Sequence, residues 1–384
     1  PAVTRVYLDH NATTPLRPEA RETWMETLQN LGGNPSSVHT SGRAARAVID
    51  RAREQVAGAL GVTESGIFFT SSGTEANNLA LLGTLRAAAP GSALTVLASD
   101  HASVLEPARH LESEGHELRL APVGPEGLVD VEELARIARG SALLSLAAAN
   151  NETGALVPLG EVREALGDEG PPVHTDAAQA LGRIPLDFAG WGVDLATLSA
   201  HKVGGPVGVG ILVRCTPQPL RPVLFGGSQE EGLRPGTENA AAIAAAARAI
   251  ELSVAEQEEA SARWHKQTSY LWSELRRALP HLQAVGPPVD SPLRLPNTLN
   301  VLAPEVEGRV IITRLDLEGL EVSAGSACSS GSLEPSHVLI AMGFGEESAR
   351  SAVRLSLGRE TDDADVCRAV EILSKTFSLA RKSS

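Results

Sequence analysis

The chain has 384 residues, 42% of them apolar, and carries a formal net charge of −14. That length accommodates about two domains and a sizeable core, while an acidic surface repels phosphate backbones and anionic lipids, which argues against binding nucleic acid directly or binding a membrane. Three cysteines (Cys215, Cys328 and Cys367) match neither a disulfide framework nor a zinc site. The first residues, "PAVTRVYLDHNATTP", hold no apolar signal core, and no apolar run is long enough to span a bilayer. A cytoplasmic protein is expected.

In chain order, residues 16–31 read as a helix. Pro18 suits the first turn, Leu16, Ala20, Met25, Leu28 and Leu31 give an apolar stripe, and Gly32-Gly33 end it. Residues 42–60 read as a second helix, with Val48, Ile49, Ala52, Val56, Ala59 and Leu60 on one face, Ser41 as its starting cap and Gly61 at its end. Short apolar runs then alternate with helical stretches: "GIFFT" (66–70), "ALTVLAS" (93–99), "ALLSLAAA" (142–149), "PVHTD" (172–176), "DLATLSA" (194–200) and "VGVGILV" (207–213). They are apolar throughout rather than alternating, which predicts an α/β fold with a mostly parallel sheet covered by helices on both faces. Residues 238–279 favour helix, divisible into two. Beyond them, strands are expected at "NTLNVLA", "LEVSAG" and "AVRLSLG", with helices near 307–318, 335–342 and the C-terminus, as a smaller α+β unit.

The stretch "DLATLSAHKVGGPVGVG" places Ser199, His201 and Lys202 at the end of an apolar strand, before a Gly-rich turn. An arbitrary lysine there would be a surface residue. Here Gly204, Gly205 and Gly208 let backbone come close to something bulky, and a desolvated lysine has a lowered pKa and forms Schiff bases. Pyridoxal phosphate is the commonest carbonyl partner. Such a cofactor needs a carboxylate at its pyridine nitrogen, and "VHTDAAQALG" offers Asp176, with Gln179 three residues on; a helix cap is the competing reading. The phosphate needs amides at a helix N-terminus, which "FFTSSGTEANNLALLGTL" supplies at Gly73 and Thr74. "LASDHASVLEP" puts His101 at another strand end, able to stack on a ring and shuttle a proton. His174, Asp176 and His201 as metal ligands lack a compact spacing.

With these residues in order, the sequence resembles the cysteine desulfurases of the NifS/IscS-like branch, within the class V aminotransferase family of fold-type-I pyridoxal-phosphate enzymes. The motifs that carry the resemblance are "YLDHNATTP", "GNPSSVHTSG", "FTSSGTEANN", "NNETG", "HTDAAQALG", "SAHKVGGPVGVG", "RPGTEN", "SAGSACSSG" and "VRLSLGR", in the family's order across nearly the whole chain. The resemblance implies a seven-stranded-type, mostly parallel sheet in a large domain (15–255), with a smaller α+β domain (1–14 and 256–384) that carries the cysteine loop near 323–334. It implies that Lys202 holds the cofactor and moves protons, Asp176 pairs with the ring nitrogen, Gln179 contacts the ring hydroxyl and His101 stacks on the ring. Gly73, Thr74, Ser199 and His201 would hold the phosphate. Thr237 would reach the phosphate of the other subunit of a homodimer. Asn34, Asn151 and Arg354 would bind the substrate carboxylate, a task that suits the arginine fork.

Cys328 stands among small residues in "SAGSACSSGS", which suits a mobile loop. The resemblance makes it the nucleophile: its thiolate takes sulfur from L-cysteine, alanine departs, and the persulfide passes to an acceptor such as an iron–sulfur cluster scaffold. No metal site is expected, beyond transient ligation of a cluster by Cys328. Cys215 and Cys367 read as structural. The sequence closes at "FSLARKSS", where some members of the family carry a longer scaffold-docking tail, so the sulfur acceptor stays open. The alternatives are another class V enzyme (a selenocysteine lyase or an aminotransferase), which would not need Cys328, a non-catalytic sulfur carrier or scaffold, and a metal-dependent hydrolase.

Overall fold

The computed structural model describes residues 5–303, 308–324 and 334–381, so Cys328 lies outside the described residues. Strand β1 (Val6–Tyr7) leads to helices α1 (Pro18–Asn30) and α2 (Thr40–Leu60). The chain then alternates: β2 (Ile67–Thr70), α3 (Gly73–Ala87), β3 (Ala93–Leu97), α4 (Ala102–Ser113), β4 (Glu117–Ala121), α5 (Val131–Ala138), β5 (Ser141–Ala147), α6 (Leu159–Leu166), β6 (Val173–Asp176), β7 (Leu195–Ser199) and β8 (Gly210–Arg214). These seven strands form one sheet in the order β2-β8-β7-β6-β5-β3-β4. All neighbours pair in parallel except β8, which runs antiparallel to both β2 and β7.

The unbroken apolar runs are explained by cover on both faces. Consecutive residues enter opposite cores: Phe68, Leu143 and Leu212 join α3 and α4, whereas Ile67, Phe69, Leu144, Ile211 and Val213 join α2, α5 and α6. Strand β4 was not predicted. It lies at the sheet edge, and "ELRLA" runs from exposed Glu117 to buried Ala121 without an apolar block.

Helices α7 (Ala240–Ala255) and α8 (Gln257–Ala278) divide the predicted helical stretch in two. The alanines of α7 let helices approach closely, and Ala245 and Ala249 meet Ala20 of α1. Leu16 and Trp24 flank that contact, while Met25 and Leu28 of the expected stripe are exposed. Helix α2 starts two residues earlier than Ser41 predicts, because the His39 ring accepts from Gly42 N; Gly61, at φ 67°, closes it as expected.

The remaining elements are β9 (Gln283–Val285), β10 (Thr298–Leu302), α9 (Gly308–Leu317), β11 (Leu320–Glu321), β12 (Ser323–Ala324), α10 (His337–Ala341), α11 (Glu346–Arg350), β13 (Ala352–Ser356) and α12 (Asp363–Arg381). An antiparallel sheet runs β12-β13-β10-β9, and β1 pairs with β11. One core unites Val6 and Leu8 with side chains of α8, β10, β13 and α12.

Candidate active site

Strands β2, β3, β5, β6 and β7 point the same way, so their carboxyl ends share one edge, where open α/β sheets bind ligands. Gly73, Thr74, His101, Asn151, Asp176, Gln179, Ser199, His201, Lys202 and Arg354 line one cavity there, of about 320 Å³. Asn34 and Thr237 do not line it. Both are exposed, and the Asn34 side-chain oxygen accepts from Ser36 N.

Lys202 lies on a single 3-10 turn, Ala200–Val203, closed by Gly204 at φ 79°. The segment 9–17 wraps this turn. Arg17 N donates to Gly204 O at 2.8 Å and Arg17 Nε to Val203 O at 3.0 Å. A Cβ on Gly204 would lie 2.6 Å from Arg17 Cγ, so the bulk this glycine admits is a side chain of the same chain. Lys202 Nζ donates to the backbone oxygens of Asn11 (2.7 Å) and Ala12 (2.8 Å), which hold the amine at the cavity wall.

Ser72 caps α3 by accepting from Glu75 N, leaving Gly73 and Thr74 as the first helical residues, beside Ser199 and His201. Amides at a helix N-terminus favour an anion. Burial, with Lys202 and Arg183 adding to it, pushes the His201 imidazole down to about 4, so it is neutral. At the other side, Asp176 ends β6. Its oxygens accept from Asn77 Nδ2 (2.8 Å) and Ala178 N (3.0 Å), so the turn-capping role and the cavity position coexist. His101 likewise caps α4. Its Nδ1 accepts from Ser103 N, which places the proton of the neutral ring on Nε2.

Arg354 of β13 is fully buried. Its Nη2 donates to Asp9 Oδ1 at 2.7 Å and Nη1 to Asn151 O at 3.2 Å, while Nε has no hydrogen-bond partner among the described residues. A buried donor left unmet beside a cavity marks a place for an acceptor.

His174 is excluded from this set. It is fully buried inside the sheet, with Nδ1 on Ser145 Oγ (2.8 Å) and Nε2 on Thr197 Oγ1 (3.0 Å), and burial lowers it to about 4. Its ring nitrogens are thus occupied within the fold. Of the other cysteines, Cys215 is partly buried, with its thiol pushed up to about 12 by burial and Asp194. Cys367 is exposed on α12, where its thiol donates to Tyr270 Oη of α8 at 3.8 Å. Sequence reasoning missed Asn11, Asn77, Ser103 and Asn150, which also line the cavity. Asn11 and Asn77 stand inside motifs already singled out, but as neutral amides they carried no chemical signal of their own.

The sequence matches the family described as aminotransferase class-V over residues 6–368. The chain belongs to the class-V aminotransferase family. It is 41% identical over 381 residues to "Cysteine desulfurase IscS" of Dictyoglomus turgidum, covering 99% of this chain and 96% of that protein. A solved structure described as a NifS-like protein superposes with a TM-score of 0.90 at 35% identity, covering 98% of this chain and all of the other. Another, described as SspA in complex with cysteine, gives 0.78 at 30% identity over 92% of this chain and 98% of that one. The fold is that of the fold-type-I pyridoxal-phosphate enzymes, and pyridoxal phosphate is the cofactor of this family. The site fits it: an amine, a carboxylate and a helix N-terminus surround one cavity. The phosphate end is a tight cradle, since a Cβ on Gly73 would lie 3.2 Å from Ser199 Cβ.

Proposed function

We propose that the protein is a cysteine desulfurase, converting L-cysteine to L-alanine and leaving a persulfide on Cys328. The observation that carries this reading is the convergence of Lys202 and Arg354 on one cavity, in a chain 41% identical over nearly its whole length to a protein named cysteine desulfurase. Pyridoxal phosphate linked to Lys202 supplies an electron sink beside the substrate α-carbon. Gly73, Thr74, Ser199 and His201 would hold its phosphate. Asp176 would keep the proton on the ring nitrogen, Gln179 would contact the ring hydroxyl and His101 would stack on the ring. Arg354, with Asn151 and Asn34, binds the substrate carboxylate, and Lys202 Nζ takes and returns the α-proton. The Cys328 thiolate then attacks the substrate sulfur. A sulfur–sulfur bond forms, the carbon–sulfur bond breaks, and its electron pair stays with carbon, which gains a proton as alanine forms. L-Cysteine plus thiol thus gives alanine plus persulfide.

A homodimer accommodates Thr237, which is exposed and would complete the partner's phosphate site. Val38 and Phe225, each 86% exposed, support a covering second copy. We take residues 15–255 as the cofactor-binding part and 1–14 with 256–384 as the smaller part, in keeping with the core that joins Val6 and Leu8 to α8 and α12. Among the described residues no helix is long and apolar enough to cross a membrane. The proposal includes a cytoplasmic setting, where a reactive thiol stays reduced, and an acceptor for the sulfur such as an iron–sulfur cluster scaffold protein.

The test is incubation of the holoenzyme with L-cysteine and a dithiol. Equal alanine and sulfide over many turnovers is expected, and Lys202→Ala abolishes both. Undiminished turnover by Cys328→Ala would overturn the reading in favour of another class V activity.

A further inference from the structure

Arg183 is 3% exposed, and among the described residues it has no carboxylate partner. Its Nη1 donates to Gln179 O (2.8 Å) and Gln179 Oε1 (2.6 Å), and its Nη2 to His10 O (3.3 Å). A buried cation without a counter-charge is costly, and this one lies behind Lys202, the two lining a second, smaller cavity of about 40 Å³. The other charges around Lys202 are compensated. Asp9 pairs with Arg354, Glu256 with Arg17 and Glu360 with Arg359. Asp176 is hydrogen-bonded by Asn77 and Ala178. His10 and His201 are both pushed down to about 4 by burial and are neutral, and His101 lines the larger cavity with Lys202.

A guanidinium only donates, so Arg183 fixes the orientation of the Gln179 amide. Oε1 faces Arg183, and Nε2 donates to Asn11 O at 3.0 Å. That same oxygen accepts from Lys202 Nζ at 2.7 Å. The chain Arg183–Gln179–Asn11 O–Lys202 is therefore continuous, and it leaves the second Nε2 hydrogen of Gln179 for the cavity.

We infer that Arg183 is a positioning residue for Lys202: its uncompensated charge, relayed through Gln179 and the Asn11 carbonyl, lowers the proton affinity of the Lys202–cofactor linkage and sets Gln179 as a donor toward the cofactor. This rests on the reading that Lys202 carries pyridoxal phosphate. A nearby positive charge disfavours a second one, and its removal raises the proton affinity.

The experiment is a pH titration of the cofactor absorbance of the holoenzyme. Arg183→Gln should move the midpoint up by about one pH unit, and Arg183→Lys, which keeps the charge, should return it toward wild type. An unmoved midpoint in Arg183→Gln overturns the inference. Should that variant not fold, Gln179→Glu places a carboxylate between Arg183 and Asn11, and its midpoint must also rise; an unchanged midpoint there overturns the inference equally. A wild-type absorbance band that survives in Lys202→Ala would instead overturn the reading of Lys202 itself, and this inference with it.

Discussion

Replacing Arg354 by lysine keeps a cation but removes the fork. In the structure the fork is divided: Nη2 holds Asp9, Nη1 holds Asn151 O, and buried Nε has no partner among the described residues. Burial raises the Asp9 carboxyl above its ordinary range, with Arg354 opposing that shift, so Asp9 has first claim on any cation placed there. A lysine ammonium would pair with Asp9 and have no second planar face for a substrate carboxylate. Hydrogen bonds to charged groups contribute about 1.5–3 kcal/mol. Their loss should raise KM for L-cysteine about 10- to 150-fold, with a smaller change in kcat, because the interaction is made equally in ground and transition states. The assay is alanine formation against L-cysteine concentration. Thermal melting serves as the control, since Asp9 keeps a cationic partner. A KM rise below about threefold, under about 1 kcal/mol, would show that Arg354 does not receive the substrate carboxylate.

Other outcomes follow from single contacts. Gly210→Ala would put a Cβ 2.1 Å from the Ser72 carbonyl carbon; overpacking of this kind costs about 1–3 kcal/mol, and weaker cofactor retention, read by absorbance after gel filtration, should accompany the lower stability. Burial holds His174 down to about 4 against an ordinary value of 6.5. The unfolded chain therefore binds this proton first, so the His174 contribution is complete above pH 6.5 and is lost as pH falls toward 4, at about 1.4 kcal/mol per pH unit. His174→Gln should flatten the pH dependence of the urea midpoint across that window by one proton. Ser336 Oγ donates to the buried Glu152 carboxyl at 2.5 Å, so Ser336→Ala should cost about 1–3 kcal/mol by denaturant unfolding. Because burial raises the Glu152 carboxyl, favouring its neutral form, Glu152→Gln should cost less.

Much of this was legible in the sequence because buried parallel strands are apolar on both faces and end in the residues that face a ligand. Asp176 and Lys202 could be placed at strand ends from their neighbours alone. The antiparallel course of β8 was not legible: a strand covered on both faces reads the same in either direction. Edge strand β4 escaped because it is only partly buried, with Glu117 and Leu120 exposed, so it carries no apolar block. The contacts of segment 9–17 were hidden for another reason. Asn11 and Arg17 meet the Lys202 turn across nearly 200 residues, and no local pattern encodes that pairing. Arg183 was missed because an arginine is ordinarily a surface residue, even in a stretch as apolar as "QALGRIPL".

The central claim is that sulfur leaves L-cysteine for Cys328. The most direct measurement is peptide mass mapping of the holoenzyme after a short exposure to L-cysteine without reductant, with alanine counted in the same sample. One added sulfur on the peptide containing Cys328, matched by one alanine per site, is the predicted result. Alanine formed with no sulfur on Cys328, or with the sulfur on Cys215 or Cys367, would contradict it.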